Sequence, residues 1–234
     1  MGRRRLTVNF VYKIAGPGKR WCRRDPVTWF LRNWDQVAVA LGEHLLIAGS
    51  ALAIAFALSL AIGIAAARSG RVFDAAMAMS GILYTIPTLA FLALLIPVVG
   101  LGKANAIICM VAFSLMILVR NIATGIREVP SEVTDAARGM GMSSREILWK
   151  VELPLAMPVI VAGLRISAVT VISVTVVAAY VNAGGLGTII FNGIASDYPP
   201  KIVTGALAAC LLAIAVDVSL AALERRLKSS RAVA

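Results

Sequence analysis

The chain has 234 residues, of which 59% are hydrophobic and 15% charged, with a mean hydropathy of +0.86. A soluble globular domain is roughly half apolar and a quarter charged, and a disordered chain is poorer still in apolar residues, so both classes are excluded. Several stretches reach the ~20 apolar residues that cross a bilayer as helix. The chain therefore reads as an all-α, polytopic integral membrane protein with no room for a second soluble domain.

Residues 1–36 form a polar, basic N-terminal segment that includes Arg3, Arg4, Arg5, Lys13, Lys19, Arg20, Arg23, Arg24 and Arg32. Its apolar piece, residues 8–11, is too short for the core of a signal peptide. A membrane domain over 37–226 follows, with five apolar runs. The first covers 45–67 and ends at Arg68 and Arg71; Glu43 and His44 stand at its start, where membrane-surface residues are expected. The second, 72–99, is broken by Pro87 and Pro97, and the third, 104–119, is closed by Arg120 and Asn121. A polar stretch over 121–153 precedes the fourth run, 156–181. A glycine-rich loop leads to the fifth, 202–223, and a basic tail over 227–234 completes the chain. Alternation of period two is absent, so the runs are helices and not barrel strands.

The formal charge of +11 comes from basic residues that flank apolar runs, as orientation in an anionic membrane requires. No aromatic–basic interleaving suited to single-stranded nucleic acid is present, which excludes a nucleic-acid partner. Eleven basic residues fall on each side of the five spans, so counting charges does not orient the chain. Cys22, Cys109 and Cys210 are odd in number and far apart, which indicates neither a disulfide framework nor a metal site. No paired carboxylates, Ser/His set or metal cluster lies within the spans, which argues against a membrane-embedded enzyme. Arg165 and Asp217 are the deepest ionisable residues, each about eight residues, or roughly 12 Å, from a boundary. They either pair or line one cavity, or snorkel independently to the interface.

The polar stretch describes two short helices meeting at a bend. Ser131 is placed to cap the first, directly after Pro130, and Gly141 to supply the left-handed turn that ends it. Ser143 with Glu146 forms a capping box for the second helix, and Pro154 is expected to stop that helix before the next span. Mixed charges, with Glu132 among them, and exposed Met140, Met142 and Trp149 make this elbow a docking surface. Asp135-Ala136-Ala137, Gly141, Val151, Leu153 and Pro154 reproduce, at every spacing, the "EAA" loop of permease subunits from binding-protein-dependent bacterial ABC importers, with aspartate in place of the usual glutamate. The resemblance covers about residues 40–225. It implies the fold of the type I importer permeases, in which this loop is the cytoplasmic coupling helix that seats in an ATPase subunit.

A second segment, Ala179-Tyr180-Val181-Asn182-Ala183-Gly184-Gly185-Leu186-Gly187, follows the fourth span. With Thr85-Ile86-Pro87-Thr88 and Arg120-Asn121, it resembles the osmoprotectant branch of these importers, which carries glycine betaine, choline, carnitine or proline betaine. Methionine-importer permeases share such a glycine stretch, so an amino-acid importer stays open, and an ATP-independent secondary transporter is the competing class. The run is not a phosphate cradle, because its last glycine is not followed by lysine and then serine or threonine. The resemblance implies a multi-pass protein of the bacterial inner membrane, without a cofactor or nucleotide site of its own. It also implies cytoplasmic ATPases, a second permease subunit and an extracytoplasmic substrate-binding protein as partners. Pro87, Tyr180, Asn182, Gly184, Gly185, Gly187, Arg165 and Asp217 are the candidates for the translocation path and its gate.

Overall fold

A computed structural model describes residues 25–229, and every regular element among them is helical. Most of the basic leader, Cys22 included, and residues 230–234 of the tail lie outside the described residues. The elements are α1 (Pro26–Arg32), α2 (Trp34–Arg68), α3 (Gly70–Thr85), α4 (Thr88–Val99), α5 (Lys103–Arg127), α6 (Ser131–Gly139), α7 (Ser144–Ile147), α8 (Leu153–Ala178), α9 (Leu186–Ala195) and α10 (Pro199–Ser229). Helices α2, α5, α8 with its flanking turns, and α10 are each long and apolar enough to cross a membrane. Helices α3 and α4 make a fifth, broken span, bent by 99°.

Three boundaries differ from the sequence expectation, each for a local reason. Ile86 precedes Pro87 and takes extended backbone (ψ 125°), which makes the break in the second span, whereas Pro97 sits inside α4 and breaks nothing. Arg120 and Asn121 do not close the third span, because α5 runs on to Arg127. There Asn121 bonds its amide back to the Ile117 carbonyl at 2.8 Å, so a polar side chain is satisfied within the helix. Pro154 does not stop a helix either. A π-turn over Leu148–Glu152 joins α7 to α8 without interruption, the Leu153 N–H reaching back to the Leu148 carbonyl. Widening the helix there accommodates the N–H that proline lacks and the ring that would strike the preceding turn.

Helix α2 buries Val37, Ala40, His44, Ile47, Ala51, Ala55, Ser59, Gly63 and Ala66, a stripe that recurs every three or four positions and is mostly small. Small residues let backbones approach where lipid offers no hydrophobic drive for association. At Gly63 the approach is closest, since an added Cβ would stand 2.6 Å from Ile122 Cγ2 of α5. Helix α5 packs between α2 and α8, and α8 in turn against α10. One core cluster joins Ile47, Leu92, Met110, Phe113 and Val171, and another joins Ala55, Leu118, Ile122, Leu153 and Ile160. Leu45, Leu46, Ile54 and Leu58 lie exposed on the other side of α2, as a lipid-facing surface requires. The elbow lies at the end of the bundle where α2 terminates, while α1 and α9 gather at the end where α2 begins.

Candidate functional site

The segment between α5 and α8 folds as a rigid elbow. Pro130, and not Ser131, occupies the cap position of α6; the Ser131 carbonyl instead accepts the Thr134 hydroxyl at 2.9 Å. At the other end of α6, Gly141 has φ +85°, its N–H bonds the Arg138 carbonyl, and the Met142 N–H bonds the Ala137 carbonyl. That pair of bonds is the Schellman arrangement, which satisfies the last carbonyls of a helix and turns the chain sharply. Ser143 then opens α7 with a complete capping box. The Glu146 carboxylate accepts the Ser143 N–H at 3.0 Å, and the Glu146 N–H bonds the Ser143 hydroxyl.

Glu146 lies in the polar segment outside the apolar spans. The Ser143 N–H, the Lys150 ammonium and the Ser143 hydroxyl together hold its carboxyl down to about 2. Asp135 pairs with Arg138 one turn on, at 2.6 Å. The elbow's two sides differ in character. Ala137 and Ile147 are buried and Leu153 belongs to the bundle core, while Glu132, Asp135, Ala136 and Gly141 are exposed together with Met140 and Trp149. Pro154 is exposed at the junction with α8.

Two contacts fasten the elbow and the helix end that leads into it, and sequence reasoning missed both. Glu152, only 5% exposed, forms an ion pair with Arg68 at the end of α2. Arg127, at the end of α5, donates to the Ala66 and Ala67 carbonyls and lies over the Phe73 ring at 4.7 Å. The guanidinium thereby caps the C-terminus of α2, where orphan carbonyls and the helix dipole favour a cation. In the sequence Arg68 and Arg127 are merely bases beside apolar runs.

The glycine loop between α8 and α9 is clamped rather than free. A short 3₁₀ turn, Ala179–Val181, leads into Asn182 (φ 62°), Gly184 (φ 93°) and Gly185 (φ 80°). Glu43 accepts the Gly185 N–H at 3.1 Å and the Lys103 ammonium at 3.1 Å. His44 is fully buried and donates from Nε2 to the Ile172 carbonyl at 3.1 Å. The expectation that both are membrane-surface residues is corrected for His44, which is buried and ties α2 to α8, while Glu43 stays half-exposed and fastens α2 to the loop. Gly187, in the first turn of α9, allows a still closer approach, since an added Cβ would lie 2.0 Å from the Val176 carbonyl oxygen of α8. Tyr180 is exposed and stands edge-on to Phe191 at 5.8 Å. Pro87 lies at the bend of the broken span.

Arg165 of α8 and Asp217 of α10 form a two-bond pair: Nε bonds Oδ1, and Nη2 bonds Oδ2 at 2.9 Å. Of the two arrangements open in the sequence, pairing is the one observed. Glu224 stands 3.7 Å from the same guanidinium and pairs with Lys228 at 2.6 Å. This cluster, with Ile166, Val169 and Thr170, lines an open groove of about 450 Å³ between α8 and α10.

A family model described as the binding-protein-dependent transport system inner membrane component matches residues 47–229. The carnitine transport permease protein OpuCB of Listeria monocytogenes is 38% identical over 201 residues, 86% of this chain and 92% of that protein. The glycine betaine/carnitine/choline permease OpuCB of Bacillus subtilis is 34% identical, with 86% and 92% covered. The osmoprotectant import permease OsmW of Salmonella typhimurium is 33% identical, with 82% and 92% covered. Among solved structures, the inward-facing MetNI methionine ABC transporter superposes with a TM-score of 0.74 at 21% identity, over 87% of this chain and 99% of that one. An amino acid ABC transporter superposes with a TM-score of 0.71 at 17% identity, with the same shares covered. These two show the fold, that of the type I importer permeases. The chain belongs to the family of binding-protein-dependent transport system inner membrane components, the permease subunits of ABC importers.

Proposed function

We propose that the chain is the membrane subunit of an ATP-driven importer for quaternary-ammonium osmoprotectants of the glycine betaine, carnitine and choline class. Support for the substrate class comes from permeases 33–38% identical to it that are named for those compounds or for osmoprotectant import. The subunit performs no chemistry of its own. ATP is bound and hydrolysed by cytoplasmic ATPase subunits, and an extracytoplasmic binding protein delivers substrate to two permease subunits, identical or homologous.

The observation that carries the mechanism is the elbow. Two short helices locked at Gly141 present Asp135, Met140 and Trp149 outward and continue as unbroken helix into α8. The elbow seats in the ATPase, so closure of the ATPases displaces α8 directly and α2 through Arg68 and Glu152. The two helices move as one lever, and the opening of the path changes sides. The groove holding Arg165 and Asp217 faces the second permease, because charges turned toward lipid are costly. The clamped glycine loop and Tyr180 form the gate at the opposite end.

Two measurements test this. A strain lacking other osmoprotectant importers and carrying this permease with its ATPase and its binding protein is expected to take up labelled glycine betaine or choline, and not methionine. A Met140→Cys variant is expected to cross-link to the ATPase. Methionine uptake alone overturns the substrate class, and an elbow that labels only from outside the cell overturns the coupling role.

A further inference from the structure

A cavity of about 350 Å³ opens at the end of the bundle opposite the elbow, walled by α1, α2, α9 and the start of α10. Trp29, Asp35, Glu43, Asn192 and Lys201 all line it. Glu43 is already engaged with Gly185 and Lys103. Asp35 and Lys201 are not engaged. They carry opposite charges in the same hollow, yet among the described residues neither forms an ion pair, with the other or with any other side chain.

Separated opposite charges on the wall of one cavity match a ligand that carries both. A quaternary ammonium group has no N–H to donate, so hydrogen bonding cannot recognise it. It is held by the field of a carboxylate and by the face of an aromatic ring, of which indole is the strongest. Asp35 and Trp29 supply those two features. Lys201 of α10 and Asn192 of α9 supply the donors that a carboxylate takes up.

We propose that this cavity is an entry site for zwitterionic quaternary-ammonium compounds, with the ammonium end at Trp29 and Asp35 and the carboxylate end at Lys201 and Asn192. The proposal rests on the substrate class given above and narrows it. At this site glycine betaine and carnitine engage both sets of groups, whereas choline, which has no carboxylate, engages one. With the elbow on the ATPase side, the cavity faces the outer compartment, where the binding protein releases its cargo. Its lining includes Gly185 of the clamped loop and Ile189 of α9 just after it, so an occupant lies against the proposed gate.

The test uses the assembled permease–ATPase complex in nanodiscs, without binding protein, and saturation-transfer NMR of the trimethylammonium signals of glycine betaine and of choline. Both signals are expected with the unsubstituted complex. Lys201→Met is expected to weaken glycine betaine binding at least about fivefold and leave choline within about twofold, while Asp35→Asn weakens both. ATPase activity and co-purification verify that each variant is assembled. No transfer to either compound, or an equal loss of both in Lys201→Met, overturns the proposal. Uptake by cells, measured separately, tests the substrate class: uptake without transfer sinks the entry site alone, and transfer without uptake sinks the class and, with it, the entry role.

Discussion

Arg68, the last residue of α2, is paired with Glu152, the last residue of the π-turn between elbow and span, across 84 positions of sequence. The pair is unequal, because the Arg68 side chain is 49% exposed and that of Glu152 only 6%. Removing the arginine strands a buried carboxylate, whereas removing the glutamate leaves a guanidinium that reaches water. Arg68→Met is therefore expected to cost about 2–3 kcal/mol and Glu152→Gln about 1 kcal/mol. Thermal unfolding of the solubilised complex measures the order. Substrate-stimulated ATPase activity should fall severalfold in both, and the exchange Arg68→Glu with Glu152→Arg should recover part of it. Equal destabilisation with unchanged coupling would remove this pair from the lever.

Gly141 separates backbone effects from contact effects. An added Cβ there meets nothing within 4 Å, but φ is +85°. Asparagine enters the left-handed region readily and β-branched residues do so poorly. Gly141→Asn is thus expected to keep transport within about twofold. Gly141→Val should lose ~1–2 kcal/mol of elbow stability, with ATPase co-purification and uptake falling together while the amount in the membrane is unchanged. Matching phenotypes for the two variants would place the role of Gly141 in contacts rather than in the turn.

Such local signals explain what the sequence discloses. Five spans are legible because ~20 apolar residues have few other uses, and the elbow because Gly141, Ser143 and Glu146 act within a few residues of one another. Pro154 misleads because the π-turn absorbs its missing N–H, and Asn121 because its amide is satisfied one turn back. The clamps were hidden by distance along the chain. Glu43 and Gly185 are 142 positions apart, and nothing near Glu43 distinguishes it from an ordinary residue of the membrane surface. Arg165 and Asp217 could be nominated from depth alone, but only the packing of α8 on α10 joins them.

The capping box carries a pH prediction. Glu146 titrates at about 2 instead of its ordinary 4.5, first because of the Ser143 N–H. A lowered carboxyl stabilises the folded elbow fully above its unfolded value, and the contribution fades as pH falls from about 4.5 toward 2. Coupling measured between about pH 5.5 and about pH 8 is therefore expected to show no dependence arising from this residue. Glu146→Gln keeps an acceptor for the Ser143 N–H but loses the charge and the Lys150 pair, and Glu146→Ala loses the acceptor as well, so the elbow is expected to weaken in that order. Hydrogen exchange of the amides at 143–147 reports the difference, and equal exchange in the two variants would show that charge, not hydrogen bonding, holds the turn.

The Arg165–Asp217 pair lies inside the spans, where stability and transport are separable by substitution. Arg165→Met leaves Asp217 unpaired between α8 and α10, and Asp217→Met leaves Arg165 with Glu224, which Lys228 already engages. Either single change is expected to reduce the amount of permease in the membrane severalfold, more so for Arg165→Met. Replacing both by methionine removes the stranded charge, and ion pairs exchanged for apolar side chains are often neutral or better. The double variant should therefore return to normal abundance. If the groove faces the second permease and forms part of the path, uptake stays low in that abundant double variant, because the polar wall is gone. If the pair only joins α8 to α10, uptake returns with abundance. Quantitative immunoblotting beside initial uptake rates distinguishes the two, and the first result is the one expected here.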